Sequence, residues 1–176
     1  MKRNVSLLCI VLLLISFYSC AVSPLSYNDT LEVFMKHKDE FLIIVDFLQS
    51  LDDYDSVNIS KFNGTIFANL HYIDIKDKTI VTALSEIHNA GCNDINKKGE
   101  QISFELWSSF TDIGCGLLYS DKKIHTAEDC NAEQYITAIT PLEELNWYYY
   151  ISDYNLWRSQ HQSETNVSPI RGRFSD

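Results

Sequence analysis

Basic residues are scarce in this chain of 176 residues. Fourteen Lys and Arg stand against 24 Asp and Glu, which gives a formal net charge of −10 with neutral histidines. Such a chain repels the phosphates of nucleic acids and anionic lipid headgroups, so we exclude nucleic acid as a partner. The same acidity keeps an exported protein soluble, and this is the simpler interpretation of the charge.

Catalytic and metal-binding signatures are also missing. The chain has no G-x-S-x-G, H-E-x-x-H or P-loop motif, so we predict no catalytic residue, no cofactor and no enzyme. Cys115 is a candidate nucleophile, because the flanking glycines Gly114 and Gly116 could expose its thiol. Glycines in a strand more often indicate a bulge or close packing. His88 and Cys92 are four residues apart without an established zinc spacing, and we predict no metal site.

After the N-terminus the chain has no second long apolar run. Two basic residues precede an uncharged apolar run over residues 5–17, which is shorter than the about 20 residues that span a bilayer. Ser19 follows, directly before Cys20. This order is typical of an export signal, which we place at residues 1–19.

A small residue before a cysteine, after such a run, resembles the lipobox of bacterial lipoproteins, although Phe17 replaces the usual Leu. The resemblance implies that the Cys20 thiol receives a diacylglycerol, and that the protein is held on the outer face of the cell membrane. The alternatives are cleavage after Ala21 with plain secretion, and an uncleaved segment that stays as an anchor. Removal of the signal changes the formal charge from −10 to −12.

The remaining chain has the length of one domain. We predict a tether over residues 20–28, a globular domain over 29–161 and a disordered tail over 162–176. In the domain, a first helix runs from Asp29, its cap, to Leu51. A second helix begins at Asp77 and ends near Gly91.

Alternating apolar residues predict the strands between and after these helices. Val57 and Ile59 share one face of a hairpin whose turn we place at Asn63–Gly64. A polar loop over 93–100 precedes a second hairpin, in which Gln101 pairs near Ser120. The fold class is therefore α+β, an antiparallel sheet of about five to six strands with two main helices packed on it.

Three cysteines remain after the signal and Cys20, which is an odd number. Either all three are free, or one disulfide forms. In the second hairpin Cys115 lies beside the turn, while Cys92 and Cys130 both fall near the other end. If a bridge forms, it joins Cys92 to Cys130.

Aromatic residues gather in the run 147–150. In a strand Trp147 and Tyr149 share one face, and Tyr148 and Tyr150 the other. Exposed rings on this strand, chiefly Trp147, Tyr148 and Tyr150, could stack on a sugar, whereas the alternative is a half-buried amphipathic strand. With Trp157-Arg158 and the lipobox-like start, the run resembles small lipoproteins of low-GC Gram-positive bacteria, which implies surface anchoring and no particular activity.

These features predict a lipid-anchored protein of the cell envelope that binds without catalysis. Its partner would be an unknown protein or cell-surface component, and its role protective, as in immunity or inhibitor proteins. Two alternatives stay open: a glycan- or peptide-binding accessory domain that uses the aromatic strand, and a small exported enzyme without a recognisable motif.

Overall fold

The computed structural model describes residues 23–60, 65–69, 71–109 and 113–161. The helices in these ranges are α1 (Tyr27–Lys36), α2 (Lys38–Gln49), α3 (Lys78–Asn89) and α4 (Tyr154–Gln160), with one 3₁₀ turn at Ala127–Asp129. None of them has the length and apolar character needed to cross a membrane. The expected signal, Cys20 and the tail over 162–176 lie outside the described residues.

The strands form one antiparallel sheet in the order β3-β2-β1-β4-β5-β6-β8-β7. They are β1 (Ser56–Ser60), β2 (Thr65–Ala68), β3 (His71–Asp74), β4 (Asp94–Lys98), β5 (Gln101–Ser108), β6 (Ile113–Ser120), β7 (Ile136–Pro141) and β8 (Trp147–Asp153). The α+β class is confirmed, whereas the prediction of five to six strands is wrong.

Two local differences account for the eight strands. The second strand of the first predicted hairpin is in fact two strands, β2 and β3, which pair with each other. The segment expected as a polar loop contains β4, which lies between β1 and β5 and pairs with both. Its sequence, DINKK, has one apolar residue, Ile95; the other buried position of β4 is Lys97, whose ammonium group donates to the carbonyl oxygen of Leu51 at 2.8 Å. Strand formation there depends on its neighbours rather than on its own propensity.

The first helix also differs from the prediction. His37 ends α1 and precedes α2, with φ −119° and ψ 25°, so the long helix is broken although no Gly or Pro stands there. The N-terminal cap is Ser26, which forms a capping box with Asp29; the predicted cap was three residues too late. The cap at Asp77 is confirmed, and Gly91 follows α3 with φ +104°.

Helices α1, α2 and α3 pack on one face of the sheet, here called the helix face, and form the main core with it. Trp147 lies at its centre. Its ring centroid is 4.7 Å from that of Phe34, 5.7 Å from that of Phe104 and 5.3 Å from that of Tyr119. The predicted placement of Val57 and Ile59 together on one face is confirmed, since both are buried in this core, while the turn Asn63–Gly64 lies outside the described residues.

The opposite face, here called the loop face, has two halves. Over β6, β7 and β8 the segment 121–135 covers it, and Leu118, Tyr148 and Tyr150 pack there against Ile124 and Ala132. Over β1, β4 and β5 the same face carries mainly polar side chains. The β5–β6 hairpin pairs Gln101 with Ser120 as predicted.

Candidate functional site: an acidic cleft on the loop face

A row of residues crosses the middle of the loop face. Asp94 of β4 pairs with Glu105 of β5, which pairs with Gly116 of β6, which in turn pairs with Tyr150 of β8. Directly paired residues point to the same face of a sheet. The row therefore places two acidic side chains side by side, next to a position that has no side chain and then a tyrosine. Like charges placed directly opposite each other destabilise a sheet.

The glycines of β6 leave room beside these carboxylates. A Cβ at Gly116 would overlap the carbonyl oxygen of Phe104, and a Cβ at Gly114 would lie 2.8 Å from the Ser152 hydroxyl. The same Gly114 position is 3.5 Å from a carboxylate oxygen of Glu105. The Gly114-Cys115-Gly116 sequence is thus a close-packing feature that lets the Glu105 carboxylate lie over the strand.

A third carboxylate comes from the segment that covers the loop face. Gln101 holds this segment, because its side-chain oxygen accepts from the backbone N–H of Asn131 at 2.6 Å and of Ala132 at 3.3 Å. The Ser103 hydroxyl donates to the carbonyl oxygen of Ala132 at 3.3 Å. The next residue is Glu133, whose carboxylate accepts from the N–H of Gln134 at 2.9 Å.

Asp94, Glu105 and Glu133 influence one another electrostatically. Burial, and then repulsion by Glu105 and Asp94, raises the pKa of Glu133 to about 7. Burial and repulsion by Asp94 raise the pKa of Glu105. Burial also raises the pKa of Asp94, although Asn58 and Asn96 donate to its carboxylate at 3.1–3.2 Å. Among the described residues none of the three carboxylates forms an ion pair.

Tyr150 lies beneath this acidic group. Its side chain is fully buried, and its hydroxyl has no hydrogen-bond partner within the described part of the chain. Burial raises its pKa, and the carboxylates of Glu133 and then Glu105 are the next largest causes. Strand pairing places Tyr150 opposite Gly116, the glycine that pairs with Glu105. A buried hydroxyl that remains unpaired costs about 1–3 kcal/mol.

Between β5, β6 and residues 133–135 the loop face opens into a cleft of about 410 Å³, here called the acidic cleft. Glu105, Glu133, Tyr135 and Tyr154 are among its lining residues. Tyr135 has a positive φ of 61°, which is unfavourable for a bulky residue. Its ring packs edge-on against that of Tyr154, with 4.9 Å between the ring centroids and 72° between the ring planes. The cleft thus combines two acidic walls with an aromatic one.

The aromatic residues predicted from the sequence do not form this site. Trp147 and Tyr149 face the main core, and Tyr148 and Tyr150 face the segment 121–135, so the predicted division between two faces is confirmed. All four are buried, with Trp147 only 1 % exposed. Buried rings present no face to a sugar, which removes the physical basis for a glycan platform on this strand.

Cys92, Cys115 and Cys130 are free thiols in the structure. Cys92 is buried in the main core, whereas Cys130 packs against the separate cluster on the loop face. The conditional bridge between these two residues stays a prediction, which the structure does not contain. Burial raises the pKa of Cys115 to about 11 and that of Cys130 to about 12, so neither is an activated nucleophile.

Sequence reasoning missed Asp94, Glu105 and Glu133. Asp94 fell in the expected polar loop, and Glu105 alternates with apolar residues as any solvent-facing strand residue does. Of the acidic residues in the chain, nothing in the local sequence distinguishes these three. The pairing of β4 with β5 was the signal needed; these two strands form a hairpin with a turn at Gly99 and Glu100, inside the segment expected as a polar loop.

Comparison with protein-family models, with curated proteins and with solved structures finds no match to this chain. The function is therefore inferred from the charges and geometry of the acidic cleft. Among the described residues no three His, Cys, Asp or Glu side chains are grouped closely enough to hold a metal ion.

Proposed function

We propose that this protein is an exported, lipid-anchored binding module of the cell envelope, which captures a positively charged protein partner through the acidic cleft. Binding without catalysis fits an immunity- or inhibitor-like protective role. The observation that carries the proposal is a group of three partly buried carboxylates without an ion pair among the described residues. Glu105 and Glu133 line the cleft, and Asp94 is paired with Glu105 on the neighbouring strand.

Charge and energetics support a cationic partner. Unpaired carboxylates in a partly buried site are destabilising, and a cation that enters the cleft offsets that cost. The formal net charge of −12 that remains after removal of the signal attracts such a partner over a longer distance and raises its association rate. A nucleophilic enzyme is less well supported, because the Cys115 side chain is fully buried and its pKa is raised.

Binding can be tested with a fluorescently labelled tri-arginine peptide at 150 mM salt. The variant Asp94→Asn/Glu105→Gln/Glu133→Gln should weaken binding at least tenfold. The matched control is Glu32→Gln/Asp46→Asn/Glu86→Gln, which removes the same charges from exposed helix positions. Equal weakening by both triple variants would show that net charge, rather than the cleft, attracts the peptide.

Anchoring is tested separately at Cys20. The lipobox-like sequence supports diacylation of this residue, so Cys20→Ala should release the processed protein from membranes. Cell fractionation and the intact mass of the mature chain measure this. A processed Cys20→Ala protein that still sediments with membranes would contradict lipid anchoring, while leaving the binding proposal intact.

A further inference from the structure

Three features of the acidic cleft restrict which cation it accepts. The carboxylates of Glu105 and Glu133 belong to different elements, a strand and the covering segment, so they approach a ligand from two sides. The rings of Tyr135 and Tyr154 form a further wall. The fully buried Tyr150 hydroxyl, which has no partner in the described part of the chain, belongs to the same row of the loop face as Glu105, with only Gly116 between them.

Among the described residues no three acidic, histidine or cysteine side chains are grouped to hold a metal ion, and the volume of the cleft suits a larger organic cation. A guanidinium group has five N–H donors in one plane, binds carboxylates through two parallel hydrogen bonds, and stacks on aromatic rings. An ammonium group offers a compact, strongly hydrated charge and makes less use of flanking rings. The volume of about 410 Å³ admits one side chain with its bound water, not a folded element.

We infer that the acidic cleft binds the guanidinium group of a single arginine side chain presented by a polypeptide partner, between the carboxylates of Glu105 and Glu133 and the rings of Tyr135 and Tyr154. This inference rests on the proposed function and specifies the group that the partner inserts. The orphaned Tyr150 hydroxyl is the second sign of an incomplete site. When a cation draws in the carboxylates or an ordered water, that hydroxyl gains an acceptor.

The test uses calorimetric titration of the mature chain carrying Cys20→Ala with acetylated, amidated Gly-X-Gly peptides. With X = Arg binding should be at least fivefold tighter than with X = Lys, and citrulline, which is isosteric but uncharged, should not bind measurably. n-Propylguanidinium carries the same guanidinium group and the same charge without a polypeptide, and should bind more weakly than the arginine peptide. n-Propylguanidinium that binds as tightly as the peptide would overturn the assignment to a polypeptide partner.

Variants locate the bound group. Glu105→Gln and Glu133→Gln should each weaken arginine binding about tenfold or more, while Glu86→Gln on α3 should leave it unchanged. Tyr154→Leu should reduce the preference for arginine over lysine, because it removes one ring of the aromatic wall. Tyr150→Phe should lower arginine affinity about threefold without loss of thermal stability, which separates a role in the site from a role in packing.

The outcomes distinguish this inference from the proposed function. If tri-arginine binds in the manner proposed, but arginine and lysine peptides bind equally or Glu105→Gln has no effect, the single-guanidinium inference is wrong and the binding proposal stands. If neither tri-arginine nor the arginine peptide binds, both are wrong.

Discussion

Glu133→Gln should stabilise the free protein at pH 8 and have little effect at pH 4. The Glu133 carboxylate is partly buried near two other acids, and its pKa is raised from the ordinary value of 4.5 to about 7. A carboxyl whose pKa is higher in the folded state holds its proton more strongly there than in the unfolded chain. The folded state therefore binds more protons between pH 4.5 and 7, and stability falls as the pH rises through this window.

The size of the effect follows from the two pKa values. A change from 4.5 to about 7 corresponds to at most about 3 kcal/mol of stability lost above pH 7. Partial exposure and screening by salt reduce this, so we expect about 1–2 kcal/mol of stabilisation from Glu133→Gln at pH 8. Gln keeps the size of the side chain and removes the charge.

Other titratable groups near Glu133 also affect how the stability of the protein depends on pH. Asp94 and Glu105 have raised pKa values and act in the same direction, while the remaining titratable neighbours are Tyr150, the lysines of β4 and, across an adjacent cleft, Glu128 and His161. The Glu133→Gln variant should therefore still lose some stability with rising pH. The loss should become shallower rather than disappear.

Urea denaturation at pH 4, 6 and 8 measures these differences. Glu86→Gln is the matched control, since Glu86 is exposed on α3 and lies on the other side of the sheet. If Glu133→Gln destabilises the protein at pH 8, or if Glu86→Gln stabilises it equally, the acidic cleft is not an electrostatically unfavourable site and the reasoning fails.

Two further predictions concern packing and thiols. Gly116→Ala should lower the free energy of unfolding by about 3 kcal/mol, because its Cβ would overlap the Phe104 carbonyl. Gly99→Ala, at φ +58° with no atom within 4 Å, should lower it by about 1 kcal/mol from backbone strain alone. Equal losses in urea denaturation would contradict the close approach of Gly116 to Phe104. In the mature chain carrying Cys20→Ala, unfolding without reductant should expose three alkylatable thiols, while the native protein should react slowly with a disulfide reagent at pH 8. A linked peptide in non-reducing peptide mapping would show that a bridge forms.

Local signals in the sequence were sufficient for part of the fold. The cap at Asp77, the end of α3 before Gly91, and the pairing of Gln101 with Ser120 depend on residues close in sequence or on a short hairpin, and the structure confirms them. The two faces of the strand at Trp147 also follow from side-chain alternation, which is a property of any strand.

Tertiary structure decided the remaining features of the fold and the site, because these features depend on packing between elements. The break at His37 has no local breaker, and β4 becomes a strand because β1 and β5 bind it on both sides. The aromatic rings of β8 proved to be core because two separate layers cover them. Asp94, Glu105 and Glu133 form one site only when β4 pairs with β5 and Gln101 holds the covering segment in place. The sequence alone determined that the chain is acidic, and it predicts an export signal with a lipobox-like cysteine; where its acidic residues gather was decided by the β4–β5 hairpin and by the contact of Gln101 with the covering segment.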